Sequence, residues 1–213
     1  MTSPARRRAA ARRKRVFAFR DTTDPRGFVV LLKAHLEHLR VKGYSERTVR
    51  SAEWSVSDFV VWCQERDVLT PRDVTKPMLE RYQRTLFYTE KPDGSPLTLS
   101  TQHHRLSFLK QYFKWLAREN HLLSNPASEL ELPKVEKRLP KHVLTATEAE
   151  AILAQPDIRK AQGLRDRAIL ETFYSTGIRR TELSGLKVHD VDTERGTITV
   201  RQGKGRRDRV VPV

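Results

Sequence analysis

The stretch Tyr174-Ser175-Thr176-Gly177-Ile178-Arg179-Arg180-Thr181-Glu182-Leu183-Ser184-Gly185-Leu186 decides how the C-terminal part of the chain is read. Gly177 breaks a helical pattern, and a short helix or turn is expected over 181–186. Arg179 falls where that helix begins, a place where backbone N–H groups and a guanidinium fork suit an anion. Glu182 follows one helical turn later, in position to orient Arg179 or Arg180. About twenty residues further on, Gly203-Lys204-Gly205 separates two alternating runs, Thr197-Ile198-Thr199-Val200 and Arg209-Val210-Val211-Pro212-Val213. This pattern predicts a β-hairpin with Lys204 at its tip, between glycines that let the backbone approach a ligand closely. Taken singly, each feature equally describes an exposed arginine, a surface ion pair or a turn lysine.

Working outward, helices precede these segments. Leu164, Ala168, Ile169 and Phe173 give 162–174 an apolar helical face, and Thr145-Ala146-Thr147-Glu148 has the spacing of a capping box opening a helix to about residue 154. Four more helices are expected upstream. The first carries Val29, Leu32, Leu36 and Leu39 and ends at Gly43; Ser45 caps the second, whose core side includes Val49, Trp54, Val56, Phe59, Val60 and Cys63. Thr75 and Pro77 open the third, with Leu79, Tyr82 and Leu86, and a Pro/Gly-rich loop over 91–96 precedes the fourth. That helix starts near Leu99 and Ser100 and carries Leu106, Leu109, Phe113 and Leu116. Tyr112 and Trp115 are expected in the core or at a domain interface rather than against bases.

The predicted organisation is a disordered basic arm over 1–26, a helical domain over 27–126, a linker over 127–142 and a helix-plus-hairpin region over 143–213. The formal charge of the 213 residues is +15, and the eight arginines and lysines of residues 1–20 leave +7 on the rest. The body is therefore basic in its own right, and nucleic acid is the expected partner. No apolar run is long enough to span a bilayer, and no secretory signal pattern opens the chain. A single cysteine excludes an internal disulfide and a Cys-based zinc site, and it suits a reducing, cytoplasmic setting.

Polar and basic residues cluster on two helices. Ser45, Arg47, Thr48 and Arg50 open the second, and Thr101, Gln102, His103, Arg105 and Lys110 line the fourth. Short polar and basic side chains near helix N-termini suit groove entry and phosphate positioning on double-stranded DNA, as they also suit a solvated face. Lys134, Lys137, Arg138 and Lys141, in a segment with two prolines, are placed to track a phosphate backbone. His35 and His38 stand one turn apart without a third metal ligand nearby. No P-loop, dinucleotide fingerprint or serine elbow is present, so neither a metal, a cofactor nor a small-molecule substrate is expected.

Together these segments resemble the tyrosine recombinases, or phage integrases, over most of residues 28–213. The motifs that carry the resemblance are Leu164-Arg165-Asp166-Arg167-Ala168-Ile169-Leu170, Tyr174 through Leu183, Leu186-Lys187-Val188-His189-Asp190-Val191-Asp192, and Gly203-Lys204-Gly205 through Val210-Val211-Pro212. The resemblance implies a mainly α fold. It implies a SAM-like four-helix core-binding domain and the first part of an α+β catalytic domain with a β-hairpin, clamping DNA between them. It implies that Arg179 is the first catalytic arginine, that Lys204 protonates the leaving 5′ oxygen, and that Glu182 is a supporting acid. Phosphoryl transfer without a metal requires such charge neutralisation and proton donation.

The later motifs of the family have no counterpart here. None of the seven histidines begins a His-x-x-Arg motif, and Tyr44, Tyr82, Tyr88, Tyr112 and Tyr174 all precede Arg179. Without a tyrosine nucleophile no covalent 3′-phosphotyrosyl intermediate forms. The expectation is thus a C-terminally truncated recombinase, inactive alone, whose last strand exposes an apolar edge; the family acts as tetramers on two sites. The alternative is a non-catalytic DNA-binding protein that competes for recombinase sites. A helical transcription regulator leaves the Arg179 and Lys204 segments unexplained.

Overall fold

The computed structural model describes residues 19–20, 22–136, 142–201, 203 and 207–213. The chain divides into two compact units, at residues 137 and 138. The fold is mainly helical, with seven α-helices and one three-stranded sheet among the described residues.

The first unit contains α1 (Phe28–Val41), α2 (Glu46–Gln64), α3 (Lys76–Tyr88) and α4 (Leu99–Arg118). Leucines at helical spacing make α1 amphipathic, and Leu32, Leu36 and Leu39 are buried. Gly43, at φ 75°, ends it in the left-handed region that glycine tolerates. The starts of α2 and α4 are built alike. Ser45 and Thr98 each accept a hydrogen bond from the backbone N–H three residues on, Thr48 and Thr101, satisfying an otherwise orphaned donor. Thr75 precedes α3 without a side-chain cap; Pro77 at the first turn starts that helix instead.

The core of this unit centres on α2 and α4. Phe59 is fully buried and meets Phe28, Tyr82 and Phe113 edge-to-face, at centroid distances of 6.2, 5.0 and 5.9 Å. Such contacts add specific quadrupole geometry to the burial of large apolar area. Tyr112 and Trp115 lie in the same core. Cys63 is buried, which pushes its thiol pKa up and makes it an inert packing residue.

The core extends beyond the four helices at both ends. Phe19 packs against it and Arg20 pairs with Asp67 at 2.6 Å, so these two residues of the expected arm hold contacts; residues 1–18 lie outside the described ones. Ala127 and Leu130 are buried, and Lys110 donates to the carbonyls of Ser128 and Leu130 at 3.2 and 2.7 Å. The first part of the expected linker is thereby docked on the helices, because its apolar side chains are buried and its carbonyls satisfied.

The second unit contains α5 (Ala146–Leu153), α6 (Ala161–Thr176), α7 (Arg180–Leu183), β1 (Val191–Asp192), β2 (Thr197–Val200) and β3 (Arg209–Pro212). Thr145 and Glu148 form the capping box that opens α5. The sheet is antiparallel in the order β1-β2-β3, with Ile198 opposite Val211 and Val200 opposite Arg209. Asp192 accepts from the Glu194 and Arg195 N–H groups to shape the β1–β2 turn. Ile178, Ile198 and Val200 form a small core with Phe173, Leu183, Leu186 and Val211 packed on it. No residue of α6 is buried, and Val210 on the edge strand and Val213 just after it are exposed.

One core position has a pH signature. His35 is 1 % exposed, flanked by Tyr112 and Trp115 rings at 5.4 and 5.0 Å. Neither of its ring nitrogens has a hydrogen-bond partner among the described residues. Burial first, and then the neighbouring His38, lowers its pKa from 6.5 to about 4. The unfolded chain takes up a proton here that the folded chain refuses, so stability is lost as pH falls from 6.5 towards about 4 and is unaffected above 6.5. Comparing urea midpoints near neutral pH and near pH 5, the wild-type protein should lose about 2 kcal/mol more than His35→Leu. Equal losses in the two proteins would show that residue 35 is not the titrating group.

Candidate phosphate-binding site and nucleic-acid interface

Arg179 stands between α6 and α7. Gly177 closes α6 at φ 59°, and buried Ile178 anchors the next residue, so Arg179 leaves the surface in an extended conformation. The Glu182 carboxylate folds back on the cap of this short helix: the Arg179 N–H donates to its Oε2 at 3.0 Å, and Arg179 Nη1 donates to its Oε1 at 2.9 Å. Glu182 pairs with Arg179 rather than Arg180.

The same carboxylate takes a second guanidinium. Arg209, at the start of β3, donates through Nη1 to Oε1 at 3.1 Å and through Nη2 to Oε2 at 2.7 Å. This two-pronged pair holds the Glu182 carboxyl far below the usual carboxylate range, with the Arg209 hydrogen bonds the largest cause, followed by the Arg179 backbone N–H. The Glu182 side chain is 7 % exposed, whereas that of Arg179 is 53 % exposed. The arginine is thus held from behind and open in front. It faces a cleft of about 520 Å³ lined by Thr176, Gly177, Arg179, Arg207, Asp208 and Arg209.

Gly203 lies against this pair. A Cβ there would sit 2.8 Å from Arg209 Nη1, 2.9 Å from Glu182 Oε1 and 3.1 Å from the Arg207 carbonyl oxygen. The backbone at Gly203 therefore packs against the ion pair, and a side chain there would displace the ends of Arg209 and Glu182. Lys204 lies outside the described residues, as do Lys137, Arg138 and Lys141. Lys134 is described and exposed.

On the first unit the expected polar face divides. Arg47 and Arg50 are exposed on α2, while the hydroxyls of Ser45 and Thr48 bond each other at 2.9 Å as part of the cap. Thr101 is half-buried and bonded to Thr98 in the same way. Three α4 positions correct the sequence reading. Gln102 is 2 % exposed and donates from Nε2 to the Leu97 carbonyl. Arg105 stacks on the Trp54 ring at 4.1 Å and pairs with Asp58 at 3.3 Å, its side chain 11 % exposed. Lys110 is spent on the loop carbonyls described above. His103 is half-buried, its Nδ1 hydrogen-bonded to the Pro133 carbonyl at 3.0 Å. The reason is common to all four: α4 is central, so loops and neighbouring helices take its polar groups.

Sequence reading missed Arg209 and Asp58. Arg209 stands within a quoted motif, but its partner is 27 residues away. Asp58 pairs across 47 residues, and nothing local marks either contact. Among the described residues no group of three or more His, Cys, Asp or Glu is placed to hold a metal, and no helix is long and apolar enough to cross a membrane.

A helical SAM-like unit followed by a helix-and-hairpin unit is the architecture of the integrase-type proteins. The phage integrase N-terminal SAM-like domain matches residues 31–121, and the phage integrase family domain matches residues 142–213. A tyrosine recombinase XerC 2 of Ralstonia nicotianae is 57 % identical over 193 residues, covering 89 % of this chain and 56 % of that protein. The tyrosine recombinase XerC of Myxococcus xanthus is 39 % identical over 181 residues, covering 85 % and 57 %. The chain thus spans just over half the length of these relatives. In fold it is similar to a lambda integrase dimer bound to a COC′ core site (TM-score 0.61, 18 % identity, 87 % of this chain, 48 % of that one). It is similar likewise to the Tn1549 transposon integrase in complex with circular intermediate DNA (TM-score 0.56, 18 % identity, 86 % and 60 %). The chain belongs to the tyrosine recombinase, or phage integrase, family.

The inward role of Arg105 has a measurable consequence. Arg105→Ala takes the guanidinium away from the partly buried Asp58 carboxylate, which also accepts from the Tyr82 hydroxyl at 3.0 Å, and uncovers Trp54. The change should destabilise the protein by about 2–3 kcal/mol in urea unfolding. Arg47→Ala, on an exposed side chain, should change stability by less than about 0.5 kcal/mol. Comparable effects of the two substitutions would remove the distinction.

Proposed function

We propose that this chain binds double-stranded DNA through both units and serves site-specific recombination, with Arg179 against a DNA phosphate. The observation that carries this reading is the geometry of Arg179: fixed from behind by Glu182, open in front, and facing a cleft that also holds Arg207 and Arg209. A planar guanidinium held in this way keeps donors for two phosphate oxygens. The net charge of +15 and the exposed Arg47, Arg50 and Lys134 favour the same polyanionic partner. Relatives named as tyrosine recombinases, and similar folds solved on DNA, support it as well.

In the proposed chemistry Arg179 neutralises charge that develops on a scissile phosphate, Glu182 holds Arg179, and Lys204 delivers a proton to the leaving 5′ oxygen. The five tyrosines all precede Arg179 and no His-x-x-Arg is present, so the activity proposed for these 213 residues is binding without strand cleavage. Full recombination by a tetramer belongs to the proposal for the family's complete catalytic domain. A role as competitor for recombinase sites follows from the same binding.

The test is a titration of a fluorescent duplex carrying a candidate recombination site, repeated across salt. Affinity should fall by at least about a hundredfold between 50 and 200 mM salt, since each neutralised phosphate releases counterions. Arg179→Ala should reduce the slope of log K against log salt by about 0.9 if it holds one phosphate. With nicked suicide DNA, a denaturing gel should show no covalent band. Salt-independent binding would exclude the phosphate reading, and a covalent band would show that a tyrosine of this chain attacks DNA.

A further inference from the structure

We infer that Arg209 is a positioning residue for Arg179: by taking up the Glu182 carboxylate, it leaves the outer face of Arg179 for a DNA phosphate. The inference rests on the phosphate role proposed for Arg179. Three observations lead to it. Glu182 receives donors from both arginines, and Arg209 makes the two-pronged contact while Arg179 offers one nitrogen of its guanidinium and its backbone N–H. Exposure is uneven: 53 % for the Arg179 side chain and 35 % for that of Arg209. Gly203 sits where a Cβ would meet both Arg209 Nη1 and Glu182 Oε1, so the backbone at this residue is packed against the ion pair.

Charge makes the role specific. The three side chains together carry one positive charge, which is available to an anion through Arg179. Without Arg209 the carboxylate balances Arg179 alone, the local charge falls to zero, and Glu182 competes with phosphate for the same nitrogens. Removing the carboxylate as well restores one positive charge. Arg209 is therefore needed only while residue 182 is an acid. A group that touched DNA itself would be needed regardless of residue 182.

The experiment compares the full chain with Arg209→Leu, Glu182→Gln and the double variant. Two readouts are used: affinity for the duplex at fixed salt, and the Nε–Hε NMR resonance of Arg179 in the free protein. Thermal midpoints verify folding, and Arg209→Gln, which removes the charge but keeps a polar side chain, replaces Arg209→Leu if the latter unfolds. Arg209→Leu should weaken binding by about fivefold and move the Arg179 resonance. The double variant should recover most of the lost affinity, with interaction between the two sites in the cycle. A loss that Glu182→Gln does not relieve would overturn the inference, because Arg209 would then act on DNA directly or merely hold the hairpin. An unmoved Arg179 resonance would overturn it too. If the wild-type chain binds no duplex, the DNA reading fails by itself. The free-protein resonance then decides alone: displaced by Arg209→Leu, it supports the positioning role, and unmoved, it rejects it.

Discussion

One carboxylate ties the second unit together. Glu182 holds the backbone and side chain of Arg179 on one side and the fork of Arg209 on the other, with Gly203 packed against the pair. A charge that is 7 % exposed persists only when it is paired and hydrogen-bonded, so its partners are constrained in direction as well as distance. The link joins a short helix to an edge strand that is far away in sequence. It matters more here because the apolar core beneath it is small, resting on Ile178, Ile198 and Val200. Asp190 repeats the device on the same hairpin, accepting from the Lys187 N–H and from Arg201 at 2.7 Å.

The first unit solves the same problem by packing. Phe59, Tyr82 and Phe113 form an aromatic interior between α2, α3 and α4, and the polar link Tyr82–Asp58–Arg105 is laid along its border. Because α4 is central, polar residues on part of its surface meet protein, and Gln102, Arg105 and Lys110 hold contacts within the unit. The start of α2 lies further out, which leaves Arg47 and Arg50 at the surface. Electrostatic contact with a polyanion thus falls to side chains that carry little of the packing, and the core is insulated from substitutions on that surface.

The sequence by itself determined the elements. Apolar residues at helical spacing, Ser45, the Thr145–Glu148 box, Pro77 and the left-handed Gly43 and Gly177 mark helix starts and stops, because caps and breakers act through the nearest three or four residues. Alternation around 203–205 likewise marked β2 and β3, and the motif spacing pointed to the family. Arg179 and Glu182 were legible as neighbours for the same reason of local range. The tertiary structure alone decided that a strand arginine, Arg209, completes their site, that the loop at Gly203 rests on it, and that an apparently polar α4 face turns inward. It also decided that residues 127–133 dock on the helices instead of linking freely. Burial and long-range pairing set those outcomes. Both depend on which surfaces the folded chain brings together, which no local spacing of residues encodes.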